Sequence, residues 1–183
     1  MRNLSLLTAV AVTAAASSSQ ASVVTIGGDF ATSCYQSAKI HDARQSSIEE
    51  CDRALTEEAL TTQDRVATFV NRGILHLRRV NLAAATSDFD SALRLNPRHP
   101  EAWLNKAVLQ VRHGRSAEAL PLVTKALEFQ TSKPALAYFV RAMVYEDSGN
   151  IAAAYRDLQR ARDLDPKWDE PAIELRRYRV RQL

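Results

Sequence analysis

The chain has few of the residues that catalysis, metal binding or phosphate binding usually require. Its 183 residues include five glycines, two cysteines and four histidines. The glycines form neither a G-x-G-x-x-G fingerprint nor a phosphate-binding loop, and no G-x-S-x-G turn occurs. The histidines show no His-Glu-x-x-His spacing and no Cys/His cluster. We therefore expect no catalytic residue, no metal site and no cofactor, and a protein that is not an enzyme.

An excess of one charge and long apolar runs are also scarce. Lys and Arg number 24 against 21 Asp and Glu, and the formal net charge of +3 is too small to predict nucleic-acid binding. After the first 21 residues, no apolar stretch approaches the roughly 20 residues of a membrane-spanning helix. A hydrophobic content of 46% with 25% charged residues is typical of one soluble globular domain.

The amino terminus has the three parts of an export signal. A short positive start precedes an apolar, uncharged stretch at residues 4–16, and Ser19 and Ala21 supply the small side chains that signal peptidase requires. This stretch is too short to span a bilayer. We predict that residues 1–21 are a signal peptide cleaved before Ser22, and that the protein is periplasmic or secreted without a transmembrane span. An uncleaved anchor or a disordered tail is the alternative.

The sequence repeats itself with a period of about 34 residues. Small and apolar residues recur in three sets with one internal spacing: Ala85, Phe89 and Ala92; Ala119, Val123 and Ala126; Ala154, Leu158 and Ala161. A fixed period of this length is typical of stacked helical repeats, in which each unit covers the apolar face of its neighbour. Small residues at Gly73, Ala107 and Ala142 would let two helices of a unit pack closely. Gly114 and Gly149 suit the turns between helices, and Asn81 is expected to adopt the left-handed conformation in the first turn.

This pattern resembles the tetratricopeptide repeat (TPR). The clearest unit carries, at the spacing of that family, Phe69, Gly73, Ala85, Phe89 and Pro97. Arg72 and His76 stand where the family pattern has Leu and Tyr. The resemblance implies an all-α, TPR-like superhelical array of antiparallel helix pairs. We expect a linker and a degenerate helical hairpin at 22–65, three repeats at 66–99, 100–134 and 135–168, and a C-terminal cap helix at 169–183.

The two cysteines fall at matching positions of the degenerate hairpin. In an antiparallel helix pair, facing residues have a constant sum of residue numbers, and Arg72 faces Phe89 in the first repeat. A shift of 38 residues places Cys34 and Cys51 in the same relation. Because an exported protein meets an oxidising compartment, we predict a disulfide between them. Two buried free thiols are the alternative.

The TPR resemblance also implies a concave groove lined by the first helix of each pair. Asn71 and Asn105 occupy equivalent positions on two of these helices, and Val140 occupies the third. In TPR proteins an Asn at this position often binds the backbone of an extended peptide, which its amide donors and acceptor allow. Asparagines that are merely tolerated on an exposed face are the alternative.

An apolar stripe accompanies the asparagines on the same helices. It comprises Val70, Ile74, Leu104, Val108, Phe139 and Met143. We predict a non-catalytic adaptor in the cell envelope that binds a peptide or helix segment of a protein partner along this stripe. The open alternatives for the stripe are contact with the first hairpin, superhelix packing and contact with a second copy. In the last case the protein would be a self-assembling structural subunit of an envelope complex, and a homo-oligomer.

Overall fold

The computed structural model describes residues 21–24 and 28–178, and within these ranges every regular element is a helix. Residues 1–20 of the predicted signal peptide lie outside them. The helices are α1 (Asp29–Ile40), α2 (Gln45–Glu57), α3 (Thr62–Arg78), α4 (Leu82–Leu95), α5 (Pro100–Arg112), α6 (Ser116–Glu128), α7 (Pro134–Asp147), α8 (Ile151–Leu164) and α9 (Glu170–Leu175). Across the described ranges, none of these helices combines the length and the apolar character needed to span a membrane.

Consecutive helices pack in pairs, and the pairs stack in chain order. The four hairpins are α1–α2, α3–α4, α5–α6 and α7–α8, and α9 packs against α8. The first helices of the last three hairpins also form one layer, in which α5 contacts both α3 and α7. The all-α array of antiparallel pairs is therefore present. Helix α3 begins at Thr62, four residues before the predicted start of the first repeat, and Thr61 caps it by accepting a hydrogen bond from the backbone N–H of Asp64.

Small residues close the hairpins at the point where their helices cross. A Cβ atom added to Gly73 would lie 2.5 Å from the ring of Phe89, which is fully buried and has no room to move aside. Ala107 and Ala142 occupy the equivalent positions in the next two hairpins and are buried as well. The recurrence of small side chains is thus a packing requirement of each helix pair.

Each of the last three turns between paired helices contains a residue with left-handed backbone dihedrals. In the first of these turns the residue is a valine, for which this conformation is unfavourable. Gly114 and Gly149 have φ angles of 71° and 78°. At the equivalent place in the first repeat, Val80 has φ 60° with 71% of its surface exposed. The expectation for Asn81 was wrong: its φ is −85°, and its side chain instead caps α4 by accepting from the N–H of Ala84. The residue with left-handed dihedrals comes directly before the N-cap residue of α4. One asparagine therefore cannot take both roles.

Ion pairs between helices account for Arg72, one of the two residues that depart from the TPR pattern. Arg72 donates to both carboxylate oxygens of Asp88, which is only 3% exposed, and Arg141 makes the same contact with Asp157. Two parallel N–H···O bonds give such pairs a fixed geometry. The third cation at this position, Lys106, bonds to Asp90 of the preceding repeat. These cations hold paired or neighbouring helices in register.

A disulfide joins α1 to α2. Its partners are Cys34 and Cys51, both fully buried, as the hairpin register predicts. The loop between them spans 17 residues. Closing a loop of this length contributes roughly 3 kcal/mol in the chain-entropy model. The hairpin that it stabilises packs on α3 and covers the first end of the array.

The other end of the array is covered by aromatic and aliphatic side chains that follow α8. Trp168 packs on Phe139 with ring centroids 4.8 Å apart, and Leu175 and Tyr178 join the same cluster. The predicted cap helix is shorter than expected in its described part, because α9 ends at Leu175. Residues 179–183 lie outside the described ranges.

Val80→Gly should stabilise the protein. The left-handed conformation costs a β-branched residue about 1–2 kcal/mol, and the freedom of glycine in the unfolded chain offsets part of this. We expect the free energy of unfolding to rise by about 1 kcal/mol and the melting temperature by about 2–4 °C, measured by denaturant and thermal unfolding. The reverse change at the next turn, Gly114→Val, should lower stability by a similar amount. Equal stabilities of all three proteins would contradict the strain assigned to Val80.

Candidate peptide-binding groove

The inner layer of helices holds an extended segment of the chain itself. Residues 21–24 have no regular secondary structure and cross α5 and then α3. Asn105 on α5 and Asn71 on α3 are fully buried and meet the backbone of this segment. The two predicted asparagines therefore face one groove and contact one strand of polypeptide.

Asn71 pairs with both backbone groups of a single residue. Its Oδ1 accepts from the N–H of Val23 at 2.9 Å, and its Nδ2 donates to the C=O of Val23 at 2.7 Å. Because only main-chain atoms are bonded, this contact holds an extended backbone without selecting its side chain. The carboxamide acts here like one residue of a neighbouring β-strand.

Only one of the two polar atoms of the Asn105 carboxamide has hydrogen-bond partners among the described residues. Its Nδ2 donates to the C=O of Ala21 at 3.1 Å and to the C=O of Glu101 at 2.9 Å. Its Oδ1 is buried and has no hydrogen-bond partner among the described residues. Because a buried acceptor without a donor costs free energy, this atom marks an incompletely filled position in the groove.

The six residues of the predicted apolar stripe fall into two clusters. Val70, Ile74, Leu104 and Val108 are buried in the main core, which also contains Ala21 and contacts Val23. Phe139 is buried and Met143 is partly exposed, and both belong to the cluster that Trp168 covers. With residues 21–24 in place, the stripe is not a continuous open surface.

A cleft opens beside the side chain of Val23. It has a volume of about 400 Å³ and is lined, besides Val23, by Thr62, Gln63, Val66, Leu95, Asn96 and His99. Val66 is buried, whereas Leu95 is 42% exposed. These residues come from the start of α3 and from the α4–α5 connection. Sequence reasoning missed this cleft, because no repeat motif marks the residues that line it.

His99 and Glu101 fix the start of α5 beside the cleft. His99 caps the helix, with Nδ1 accepting from the N–H of Ala102 at 3.3 Å. Burial lowers the pKa of His99, and the nearby Glu101 carboxylate partly opposes this shift. Glu101 is itself buried and accepts from the N–H of Ser132 at 2.8 Å, which ties α5 to the connection before α7.

Comparison with known proteins identifies the repeats. Residues 70–135 and residues 135–167 match family models described as "Tetratricopeptide repeat", and together they cover more than half of the chain. The chain belongs to the tetratricopeptide repeat family. TPR proteins are generally non-catalytic scaffolds, and the fold supports a role in protein–protein interaction.

Relatives and solved structures agree with this assignment. The tetratricopeptide repeat-containing protein trd-1 of Caenorhabditis elegans is 25% identical over 112 residues, which are 61% of this chain and 14% of that protein. This TPR chain therefore spans about a seventh of the relative's length. MamA (residues 41 to the end) from Desulfovibrio magneticus RS-1 superposes with a TM-score of 0.63 at 20% identity over 81% of this chain and 82% of that one. TTC0263, a thermophilic TPR protein of Thermus thermophilus, superposes with a TM-score of 0.65 at 14% identity over 81% of this chain and 78% of that one. Because both structures are at most 20% identical to this chain, they show only that the fold is shared.

The stability of this TPR protein should fall as the pH drops below about 6.5. Burial lowers the pKa of His99 in the folded state, and it also lowers the pKa values of His41 and His76. The unfolded chain therefore binds protons more readily, and stability is lost from the ordinary histidine pKa downward until the folded-state values are reached. The measurement is the urea midpoint at pH 7.5 and at pH 5.5.

Substitutions at the two ends of α5 isolate the contribution of His99 to the pH dependence of stability. His99→Asn keeps an N-cap acceptor but has no proton to gain, so the difference between the two midpoints should shrink. His113→Asn, at the exposed carboxyl end of α5, is the matched control for replacing a histidine of the same helix away from the cleft. A full pH dependence in the His99 variant would contradict the role given to this side chain.

Proposed function

We propose that this protein is a non-catalytic adaptor that binds an extended segment of a protein partner in the groove of α3, α5 and α7. One observation carries the proposal: Asn71 and Asn105 bond to the backbone of Val23 and Ala21, so the groove accepts an extended polypeptide. Main-chain hydrogen bonds supply affinity in this mode of recognition, and pockets for individual side chains supply specificity.

We also propose that the adaptor works in the cell envelope or outside the cell. Support comes from the signal-like pattern of residues 1–21 and from the disulfide between Cys34 and Cys51. Structural disulfides persist in oxidising compartments and are rare in the cytosol. Cleavage before Ser22 would take Ala21 away from Asn105 and leave Val23 on Asn71.

The location can be checked on the protein recovered from a Gram-negative bacterial host. We expect the envelope fraction to contain a chain that begins at Ser22, by amino-terminal sequencing, and whose two cysteines resist alkylation until reduced. Ala21→Arg should block processing, because signal peptidase requires a small residue at that position. An unprocessed wild-type chain in the cytosol, with alkylated thiols, would refute the proposed location.

The groove assignment can be checked with two matched pairs of asparagines. Asn71→Ala with Asn105→Ala should reduce capture of the partner from envelope extracts at least tenfold, because two backbone contacts are lost. The melting temperature should fall by no more than it does in the helix-cap variant described next, because the bonds lost are those to residues 21–24 and to Glu101. Asn81→Ala with Asn150→Ala removes the helix caps of α4 and α8, at equivalent positions of the first and third repeats. That variant should lose about 1 kcal/mol per cap and retain capture.

Two results would count against a partner peptide in the groove. The first is equal capture by the wild type and by the Asn71/Asn105 variant, measured by quantitative mass spectrometry of the bound proteins. The second is a stable dimer in light scattering that dissociates in the same variant. The groove would then be a contact between copies, and the protein a self-assembling subunit.

A further inference from the structure

Residues 21–24 leave one hydrogen-bond acceptor and part of the volume of the groove unused. At Asn71 both polar ends of the carboxamide are bonded to Val23, whereas at Asn105 the buried Oδ1 has no partner among the described residues. Beside Val23 the cleft of about 400 Å³ is left open, with Leu95 exposed on its wall. A valine side chain therefore occupies a position that has room for a larger apolar group.

The segment also defines which side chains the groove tolerates at each position. Ala21 is fully buried in the main core, so that position accepts only a small side chain. Val23, two residues later, points to the same side of an extended chain and borders the cleft. Val24 is 59% exposed and is not selected. The pattern is a small residue and, two positions later, an apolar residue.

A short connection keeps the segment near the groove. Val24 is four residues from Gly28, where α1 is anchored: the N–H groups of Phe30 and Ala31 donate to the carboxylate of Glu58 at 2.8 and 3.2 Å. A short tether gives a local concentration of order millimolar, enough to hold a weakly bound segment in place. Any partner must compete with it, and its apparent affinity falls in proportion to the vacant fraction of the groove.

We propose that residues 22–24, the amino terminus left by cleavage before Ser22, are an intramolecular occupant of the groove, and that the partner displaces them with an extended segment carrying a small residue followed, two positions later, by an apolar side chain larger than valine. This rests on the proposed function and specifies its ligand. The larger side chain fills the cleft between Val66, Leu95 and His99. The small residue lies against Asn105, at the position that Ala21 holds before cleavage. The self-contact keeps the buried carboxamide of Asn71 paired until the partner arrives.

The test uses the processed chain that begins at Ser22, with fluorescein-labelled peptides as probes. One peptide has the sequence of residues 19–27, the second carries Val23→Phe and the third carries Ala21→Trp. The protein variant is Val23→Pro, which removes the N–H that Asn71 accepts and so releases the tethered segment. Val24→Pro is its matched control, because Val24 is exposed and makes no groove hydrogen bond in the described residues. Circular dichroism verifies that each variant is folded.

Fluorescence anisotropy should rank the proteins and the peptides in a fixed order. The Val23→Pro chain should bind the Val23→Phe peptide about tenfold more tightly than the wild-type chain does, and the Val24→Pro chain should behave like the wild type. On the Val23→Pro chain, the Val23→Phe peptide should bind about tenfold more tightly than the native peptide. The Ala21→Trp peptide should bind at least tenfold more weakly than the native peptide.

Different failures refute different claims. Equal binding of the peptides by the wild-type and Val23→Pro chains would overturn the intramolecular occupant. Equal binding of the native and Val23→Phe peptides would overturn the larger side chain in the cleft. If Asn71→Ala, added to Val23→Pro, leaves peptide binding unchanged while the Asn71/Asn105 variant still loses its captured partner, this inference fails and the adaptor function stands.

Discussion

The distance between paired helices at their crossing point governs the rest of this structure. At Gly73 the backbone of α3 lies against the ring of Phe89, and a single added carbon would overlap that ring. Small residues at these crossings bring the two helices of each pair close together, and packed helices of neighbouring pairs lie about 8–10 Å apart. An extended chain advances about 6.8 Å over two residues. A strand that crosses neighbouring inner helices can therefore meet one asparagine with one residue and the next asparagine two residues away, as Val23 and Ala21 do.

The burial of the asparagines gives the groove its chemistry. An unpaired carboxamide in a core costs free energy, so Asn71 and Asn105 favour whatever backbone lies over them. Segment 21–24 supplies that backbone, but it pairs the second asparagine incompletely and leaves the cleft beside Val23 open. The proposed displacement of this segment by a partner would make regulation and recognition depend on the same hydrogen bonds.

Several features of the fold could be predicted from the sequence because they depend on neighbours in the repeat. The 34-residue period placed the helix pairs, and the hairpin register brought Cys34 opposite Cys51. Gly114 and Gly149 marked the turns. The first turn was wrongly assigned to Asn81, because the need for a helix cap outweighed its tolerance of the left-handed region, and the strain fell on Val80. Local patterns show that a turn exists, but not which of two adjacent residues carries each role.

The sequence by itself determined the repeat, the helix pairs, the cysteine pairing and the alignment of Asn71 with Asn105, since each follows from short-range periodicity that packing preserves. Only the tertiary structure decided what those asparagines hold. The contacts of Val23 with Asn71 and of Ala21 with Asn105 join residues 48 and 84 positions apart. It also decided that Phe139 and Met143 pack under Trp168, apart from the other stripe residues. Such contacts depend on how complete helix pairs stack in space, and no spacing within one repeat encodes that arrangement.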